Sequence, residues 1–568
     1  MITITIDGRE VRTQPGKTII EAAFENGVYI PHFCWHPALS VSGNCRMCLV
    51  EVDGLPKLVV ACATLCTDGM VLRVDSERAI AARHAVMEFL LINHPLDCPI
   101  CDEAGECKLQ DYAYRYGPGE SRFDEEKVRQ PKRVDIGPHV VFDAERCIAC
   151  SRCIRFCSEI LHDPRLTFVG RGDRVAVATF PGVKLENPYS MNIIELCPVG
   201  ALTSRDFRFK ARVWEMSDTP SVCPGCARGC SVHVWVRRNE ILRMTPRENR
   251  FVNGTWMCDF GRLESWRHAA DENRLMKPAL RRAGGIVEPV PWDEALPAAA
   301  ERLRRAAEGR IAVLGSGFDT CEGAYALARF AREVLRTPFI DSIPYFDPEQ
   351  EDDFLRRADR TPNTTGARLA GVAPADERYG LAAIVEGLER GEFSALVATD
   401  SVGGGNGWID AARERLESVI FIGRNASPLA ERADILLPAT NFAEENGTYV
   451  NFENRLQLLH PALVTKDGDR RTGPFRLSRL DAFATPFDRW GRMPKRDARP
   501  LWRILRDLAG TFGIAWGWEH PRDVFAELAH NVPAFRGLAW DAIGPEGVPL
   551  GGEASPPIRS YRYSDIRP

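Results

Sequence analysis

The sequence from residue 147 to residue 157 reads CIACSRCIRFC, and this stretch decides the class of protein. Its spacing, C-x2-C-x2-C-x3-C, is typical of ferredoxins, in which cysteine thiolates hold iron–sulfur clusters. In two-cluster ferredoxins the fourth cysteine serves the other cluster, but residues 190–196, which precede Cys197-Pro198, contain no second run. We therefore predict one [4Fe–4S] cluster and interpret Cys157 as a small buried thiol. The predicted ligands are Cys147, Cys150, Cys153 and Cys197.

A second set of cysteines precedes this run, with the spacing C-x10-C-x2-C-x13-C. A four-cysteine zinc site is the alternative, but such sites usually pair two short C-x2–4-C motifs, and only one is present here. Gly43 and Asn44 allow the loop to curl so that backbone amides point at the sulfurs. We predict a [2Fe–2S] cluster held by Cys34, Cys45, Cys48 and Cys62.

A third set combines one histidine with three cysteines in the spacing H-x3-C-x2-C-x5-C. A lone histidine is more often a core or surface residue than a ligand, but these three cysteines lack a fourth. An imidazole ligand removes negative charge from a cluster and raises its potential. A zinc site with three cysteines and one histidine is the alternative. We predict a [4Fe–4S] cluster held by His94, Cys98, Cys101 and Cys107.

The fourth set has the spacing C-x2-C-x3-C-x27-C, with Pro224-Gly225 shaping its first loop. We predict a third [4Fe–4S] cluster, held by Cys223, Cys226, Cys230 and Cys258. Fifteen of the eighteen cysteines therefore have ligand spacing. Besides Cys157, only Cys66 and Cys321 remain, and we interpret both as packing residues.

Composition limits the classes of function. The chain has 568 residues, enough for three or more domains, and a net charge of −5, which argues against nucleic acid as the main partner. No uninterrupted apolar run approaches the roughly 18 residues of a membrane span. The N-terminus reads as a strand and not as a signal peptide, which predicts a cytosolic chain whose cysteine sets bind metals.

The segments predict a multidomain α+β and α/β protein. Residues 1–78 show strands at 2–6, 10–12, 48–52, 58–61 and 70–74 and a helix from the Thr18–Glu21 capping box to Gly27, which is the β-grasp arrangement of plant-type ferredoxins. Residues 79–118, which read as mostly helical (77–117), are predicted to form the domain of the set that begins at His94. Residues 138–210 are predicted to form a ferredoxin-like domain for the set that begins at Cys147, and residues 216–272 the domain of the fourth set.

The sequence predicts a doubly wound α/β module at residues 273–490, with buried parallel strands at 311–315, 395–398 and 419–423. The remaining segment, 491–568, reads as a tail with one helix at 501–508. We expect its tryptophans to pack on this chain's own α/β module; they are Trp502, Trp516, Trp518 and Trp540.

The order of these sets resembles the large iron–sulfur subunit of NADH:quinone oxidoreductase, from bacterial respiratory complex I. The resemblance covers about residues 1–460 and rests on Cys45-Arg46-Met47-Cys48, residues 94–116 and residues 147–156. Residues 353–362 also resemble the corresponding stretch of the complex I subunit. The segment from residue 223 is similar to molybdopterin oxidoreductases, including a stretch with Glu445, Gly447, Thr448, Asn451, Arg455 and Gln457. It departs from their pattern at Asn454, where glycine is usual.

The resemblance implies an electron relay without catalytic residues in this chain. Electrons from NADH, oxidised by flavin on a partner subunit, would pass along the clusters towards quinone-side iron–sulfur subunits. The sets that begin at Cys34, His94 and Cys147 would form the main line, and the fourth would be a side branch or structural. The chain would lie peripherally on the cytoplasmic side of the inner membrane, held there through partner subunits.

The molybdenum site is expected to be a relic, so we expect no molybdopterin. Catalytic relatives supply a Cys, Ser or selenocysteine ligand, and the window 341–360 offers only Ser342. The chain also ends before the large C-terminal domain that would finish enclosing the pterins. The alternative is the catalytic subunit of an NAD-linked formate dehydrogenase. Iron-only hydrogenase needs further C-terminal cysteines, but only Cys321 follows Cys258. A third alternative is an assembly scaffold that is stabilised by zinc and has no role in electron transfer.

Overall fold

The computed structural model describes residues 1–269, 271–306, 310–400, 413–467 and 495–551. It divides into two compact units, Met1–Trp214 and Glu215–Ile558. In the part of the chain that is described, no helix has both the length and the apolar composition needed to cross a bilayer.

The first unit begins with a mixed sheet and one helix. The strands are β1 Ile2–Ile6, β2 Arg9–Thr13, β3 Leu49–Val52, β4 Val59–Val60 and β5 Val71–Arg73, in the order β2-β1-β5-β3-β4. Only β1 and β5 pair in parallel. Helix α1, Ile19–Glu25, begins at the predicted capping box, in which the Thr18 hydroxyl and the Glu21 side chain bond to each other's backbone amides. The five strands and the helix lie at or close to the positions predicted from the sequence.

The predicted helical stretch at 77–117 consists of two helices separated by a break. Helix α2 is Glu77–Asn93 and helix α3 is Lys108–Tyr116. His94, the residue that ends α2, has extended backbone because Pro95 follows it, and a residue before proline avoids the helical region. The fully buried Arg83 ties α2 to the sheet by donating to the carbonyls of Met47, Leu49 and Val74.

The last part of this unit carries the CIACSRCIRFC stretch. Its strands are β6 Val134–Asp135, β7 Val140–Phe142, β8 Leu166–Val169, β9 Ala176–Thr179 and β10 Leu202–Ser204. They form a sheet in the order β10-β7-β6 and a β8-β9 hairpin. Helix α4, Arg152–Arg155, continues as a π-helical turn, Phe156–Ile160, and helix α5 is Asn192–Leu196.

The second unit opens with an antiparallel sheet of β11 Ser217–Val222, β12 Ser231–Arg237 and β13 Glu240–Pro246, followed by helix α6, Asp259–Leu263. A sheet that has seven strands among the described residues comes next. It consists of β14 Ala279–Arg281, β15 Val287–Pro289, β16 Ile311–Ser316, β17 Ile340–Ile343, β18 Ala395–Ala398, β19 Ser418–Phe421 and β20 Ile435–Leu436. The order is β15-β14-β20-β19-β18-β16-β17. Strands β16 to β20 are parallel. Of these, β16, β18 and β19 lie at the three predicted positions, whereas β17, β20 and the antiparallel β14 and β15 were not predicted.

Helices and a small sheet cover this central sheet. The helices are α7 Trp292–Arg305, α8 Cys321–Arg329, α9 Thr364–Leu369, α10 Leu381–Arg390, α11 Pro428–Arg432, α12 Leu501–Thr511 and α13 Pro521–Asn531. The small sheet joins β21 Gly447–Val450, β22 Arg455–Leu459 and β23 Val548–Pro549. The described part of the predicted tail belongs to this module, because Trp502, Trp516 and Trp518 are buried in the same core as α8 and Trp540 packs against it.

Two carboxyl groups are buried near the β21–β22 hairpin. Burial raises the pKa of Glu445 to about 8 and that of Glu322 to about 7. A carboxyl group whose pKa is raised by folding stabilises the folded state. This contribution is complete below the unfolded-state pKa of 4.5 and is lost as the pH rises through the folded-state pKa. Buried histidines such as His268, whose pKa burial lowers to about 4, act in the opposite sense, but only below pH 6.5. Between about pH 6.5 and 8 these histidines are neutral in both states, so the carboxyl effect is measured there by comparing the protein with a variant that lacks one carboxyl.

We expect Glu445→Gln to flatten the loss of stability between about pH 6.5 and 8, because glutamine does not ionise. The slope contributed by one carboxyl is at most about 1.4 kcal/mol per pH unit. Calorimetric unfolding midpoints at several pH values would measure it. An unchanged pH slope in the variant would contradict the assignment to Glu445.

Candidate iron–sulfur centres

Three cysteines of the first set lie in the loop between α1 and β3, and they meet Cys62, which follows β4. The Cys34 thiol contacts those of Cys45 and Cys62, and Cys48 contacts Cys62. Hydrogen bonds from Cys45 and Cys62 lower the pKa of Cys34 below the ordinary thiol value. The amides of Phe33 and Cys34 both point at Cys45 Sγ, at 3.5 Å. The structure therefore brings together all four predicted residues, with amides directed at a sulfur.

The second set surrounds a cavity of about 80 Å³ between α2 and α3, lined by His94, Cys98, Cys101 and Cys107. Burial lowers the pKa of His94 to about 4, so its imidazole is neutral at pH 7, which is the form that ligates metals. Burial raises the pKa of Cys107 to about 12, whereas Cys98 is exposed. The structure places the four predicted residues around one space.

A buried cation faces the same cavity. Arg146 lines the cavity and is buried, with 4% of its surface exposed. It donates to Asp97 Oδ2 through Nε at 3.0 Å and Nη2 at 2.8 Å. Its guanidinium therefore has a fixed position beside the thiols. The sequence carries no local signal for this contact, since Arg146 follows Cys107 by 39 residues.

The third set lines a cavity of about 20 Å³ beside β7 and β10, and its members are Cys147, Cys150, Cys153 and Cys197. Cys157 is not among the residues that line it. That thiol is fully buried, and burial raises its pKa to about 12. The structure thus groups the four predicted residues and leaves Cys157 apart as a packed thiol.

The second and third sets meet at residues 197–200. Cys107 Sγ lies 4.0 Å from the Pro198 carbonyl oxygen. A Cβ at Gly200 would lie 2.1 Å from Cys101 Sγ and 3.0 Å from Glu103 Cβ. Gly200 is therefore a close-approach glycine, which sequence reasoning missed because its neighbour is about 100 residues away.

Two arginines of α4 link the third set to the first. The Arg155 guanidinium donates to the carbonyls of Cys34, Ser40 and Cys150, and that of Arg152 donates to the carbonyls of Trp35 and Leu196. Both are at least nine-tenths buried, and neither is paired with a carboxylate among the described residues. Buried cations without an anionic partner are costly, so this arrangement fits a negatively charged group held by the adjacent thiols.

The fourth set, in the second unit, is also buried. Burial, with Cys226 nearby, raises the pKa of Cys223 to about 11. The Gly261 amide donates to Cys258 Sγ at 3.3 Å, and Ser265 Oγ lies 3.6 Å from Cys223 Sγ. A Cβ at Gly261 would lie within 3.4 Å of the sulfurs of Cys223 and Cys258. Backbone and hydroxyl groups therefore approach the sulfurs closely.

The β21–β22 hairpin clamps the loop between Cys226 and Cys230. Asn451 Nδ2 donates to the Arg228 carbonyl at 3.3 Å, and Gln457 Nε2 donates to the Gly229 carbonyl at 2.9 Å. Asn454, which stands where glycine is usual, has a φ of +57°, a conformation that asparagine tolerates better than most residues. The stretch that the sequence related to molybdopterin enzymes thus supports the loop of the fourth set.

The donor sets fit iron–sulfur clusters. Thiols and one neutral imidazole are the ligands such clusters use, and the second and third sets enclose cavities. Among the described residues, no three His, Cys, Asp or Glu side chains converge closely enough for a single metal ion. Beside the fourth set lies a larger cavity of about 250 Å³. Ser342, the only candidate molybdenum ligand, is buried in β17 and is not among the residues that line this cavity.

Family matches follow the same order along the chain. Residues 1–77 match the 2Fe-2S iron-sulfur cluster binding domain, 83–122 the NADH-ubiquinone oxidoreductase-G iron-sulfur binding region, and 137–203 the ferredoxin-like domain of NADH-quinone oxidoreductase subunit 3. Residues 216–263 match the molybdopterin oxidoreductase Fe4S4 domain and 405–472 molybdopterin oxidoreductase. The chain is therefore a multidomain iron–sulfur protein with a molybdopterin-oxidoreductase-like module.

Curated relatives define the resemblance further. The G subunit of the Streptomyces coelicolor NADH-quinone oxidoreductase is 43% identical over 357 residues, 62% of this chain and 42% of that protein. The corresponding G subunits of Mycobacterium tuberculosis (41%, covering 70% and 49%) and Rickettsia conorii (38%, covering 66% and 54%) are similar. The chain spans about half the length of these relatives. The matches confirm the resemblance to the large iron–sulfur subunit of NADH:quinone oxidoreductase.

We expect Gly200→Ala to disrupt the second set, because the added Cβ cannot share space with Cys101 Sγ. The electron paramagnetic resonance (EPR) signal of one [4Fe–4S] centre should fall at least severalfold, with about four fewer irons per chain. Gly510→Ala is the matched control, because a Cβ at Gly510 meets no atom within 4 Å. Full retention of every signal in Gly200→Ala would contradict the close approach.

Proposed function

We propose that this chain is the iron–sulfur subunit of a proton-translocating NADH:quinone oxidoreductase. It would relay electrons from NADH, by way of flavin on a partner subunit, towards quinone. The observation that supports this most directly is the series of four ligand sets, three of them in one compact unit, in a chain similar to the G subunits of NADH-quinone oxidoreductases. This chain would carry electrons without binding NADH or quinone itself.

The proposed ligands are the sixteen residues predicted from the sequence. Cys34, Cys45, Cys48 and Cys62 would hold one [2Fe–2S] cluster. Three [4Fe–4S] clusters would be held by the set of His94, Cys98, Cys101 and Cys107, by Cys147, Cys150, Cys153 and Cys197, and by Cys223, Cys226, Cys230 and Cys258. When bound, such clusters supply one-electron redox chemistry.

The chain's own residues would set the environment of that chemistry. Buried walls keep water from most of the sulfurs, amides at Cys34 and Gly261 direct hydrogen bonds to them, and the guanidiniums of Arg146 and Arg152 supply positive charge. Hydrogen bonds and positive charge beside a cluster raise its reduction potential, because reduction adds negative charge. The protein would thereby adjust the reduction potential of each centre separately.

The partners would be a flavin-bearing NADH-oxidising subunit and quinone-side iron–sulfur subunits. We place the chain on the cytoplasmic side of the inner membrane, attached through those partners. The molybdopterin-like module would be non-catalytic, since Ser342 does not line the cavity beside the fourth set. Molybdopterin is accordingly not expected as a cofactor.

The proposal is tested in membranes of the source organism in which Cys153→Ser replaces the native chain. NADH oxidation by a soluble acceptor that takes electrons directly from flavin should persist. NADH:quinone reduction should fall to below about 10% of the native rate, because the relay is interrupted behind the flavin. Cys157→Ser is the matched control and should retain quinone reduction. Native quinone reduction with Cys153→Ser would overturn the proposal.

His94→Cys should change one EPR signal and lower the midpoint potential of that centre by more than about 100 mV. The reason is that a thiolate replaces a neutral imidazole and adds one negative charge. Redox titration of the anaerobic chain measures the shift. His84→Cys, in α2 and not among the residues that line the cavity, is the control. An unchanged second centre would show that His94 is not a ligand.

Arg152→Gln should lower the potentials of the first and third centres together, because a buried cation between their ligand loops is lost. A change on the order of 1 kcal/mol at an effective dielectric constant near 20 corresponds to roughly 40 mV for one electron. Arg152→Lys should restore most of the shift by restoring the charge. Arg174→Gln makes the same charge change at an exposed position. Equal shifts in Arg152→Gln and Arg174→Gln would contradict the buried-charge argument.

A further inference from the structure

Residues 353–362, with the sequence DFLRRADRTP, lie against the ligand loop of the fourth set, and the proposed function gives this segment no role. The Arg228 guanidinium, in the ligand loop, donates to the Phe354 carbonyl at 3.3 Å. The Ala227 amide, in the same loop, donates to the Asp359 carbonyl at 2.9 Å. The 353–362 segment is therefore fixed to the loop that carries proposed ligands of the fourth centre.

Arg360 is a buried cation of this segment. The residue is 4% exposed, and its guanidinium lies 4.4 Å from the centre of the Phe260 ring. A Cβ at Gly225 would lie 3.3 Å from two atoms of that ring, so the ring contacts both the guanidinium and the ligand loop. Arg360, Phe260 and Gly225 also line the same cavity. The guanidinium is thus held one ring away from the backbone between two proposed ligands.

The charge of Arg360 has no carboxylate to balance it among the described residues. Its Nη1 donates to the Arg357 carbonyl at 3.2 Å, which is a neutral partner. The other two arginines of the segment face acidic groups, since Arg356 lies 3.8 Å from Asp352 and Arg357 lies 3.1 Å from Glu351. A buried cation without an anionic partner is costly, and a negatively charged group held nearby offsets that cost. The fourth set is such a group when its thiols are ionised.

The thiols of the fourth set are sensitive to this charge. Burial and the neighbouring Cys226 raise the pKa of Cys223, and the charge of Arg360 is among the effects that oppose the rise. The buried Asp259 acts in the other sense, because its carboxylate contributes to the raised pKa of Cys258. A cation that favours a thiolate also favours a reduced cluster, because reduction adds negative charge.

We infer that Arg360, held in place by the 353–362 segment, raises the reduction potential of the fourth centre and makes it a reducible centre as well as a structural one. The inference rests on the proposed function, since it requires a cluster on the fourth set. Reduction adds one electron to that centre, and a fixed cation stabilises the added charge. Arg228 is paired with Glu453 at 3.2 Å, so Arg360 supplies the unbalanced charge.

The test is a redox titration of the whole anaerobic chain with dithionite, followed by EPR. The signal that is lost in Cys226→Ser identifies the fourth centre. In Arg360→Gln the ratio of reduced to oxidised fourth centre at a fixed potential should fall at least about threefold, or about 28 mV for one electron. Arg360→Lys keeps the charge and should restore most of the ratio. Arg356→Gln is the matched control, because it removes the same charge from the same segment at a site that faces Asp352.

A second pair of variants tests the charge without changing Arg360. Tyr345 lines the same cavity, is exposed, and accepts from the Arg360 amide through its carbonyl at 2.8 Å. Tyr345→Glu places a carboxylate beside the guanidinium, so the ratio should fall as it does in Arg360→Gln. Tyr345→Gln has nearly the same shape without the charge and should leave the ratio unchanged. This pair decides the matter if Arg360→Gln fails to fold.

Four results would overturn the inference. They are a fourth centre that dithionite does not reduce, equal ratios in Arg360→Gln and Arg356→Gln, no recovery in Arg360→Lys, and equal ratios in Tyr345→Glu and Tyr345→Gln. The proposed relay fails by a different result, which is native quinone reduction with Cys153→Ser. Failure of the inference therefore leaves the relay as proposed.

Discussion

Buried thiols that cannot ionise unaided are the constraint on which this structure depends. Burial raises the pKa of Cys153, Cys197 and Cys230 well above the ordinary thiol value, and the neighbouring cysteines raise each one further. In the proposed clusters these groups would ligate as thiolates, and the energy of charging them would come from bound cations and from donors placed around the sulfurs. The donors directed at the sulfurs and the buried arginines follow from this requirement.

The same requirement explains why the ligand loops of the first unit interlock. Arg152 and Arg155 stand between Cys150 and the π-helical turn, yet their guanidiniums bind the carbonyls of the Cys34 loop. Gly200 follows Cys197 and lies against Cys101. Each set is therefore positioned partly by residues from a neighbouring set. In the second unit the β21–β22 hairpin has this role for the loop between Cys226 and Cys230, through Asn451 and Gln457.

Much of the fold and of the candidate sites could be predicted because their signals are local. Cysteine spacing identified every set that the structure brings together, and the Thr18–Glu21 pair located the start of α1. The break after α2 also has a local signal, because Pro95 follows His94, but the sequence analysis did not place a break there. Strands β14 and β15 are short and antiparallel. Strand β14 pairs with β20 and β15 pairs with β14, and no local sequence pattern predicts these pairings.

The supporting residues could not be predicted, because their roles depend on contacts across long stretches of sequence. Arg152 acts on a carbonyl 117 residues away, and Gln457 acts on one 228 residues away. A buried arginine and an exposed one look alike in a single sequence. Only the folded chain shows which arginines lack a carboxylate partner and therefore which ones can balance the thiolates.

The most direct test of this account is EPR spectroscopy of the anaerobically reduced chain, with iron, sulfide, zinc and molybdenum quantified in the same sample. The account predicts one [2Fe–2S] and three [4Fe–4S] signals, about fourteen irons per chain and no molybdenum. Zinc without sulfide would contradict the iron–sulfur assignment. Stoichiometric molybdenum with pterin would contradict the non-catalytic assignment of the second unit.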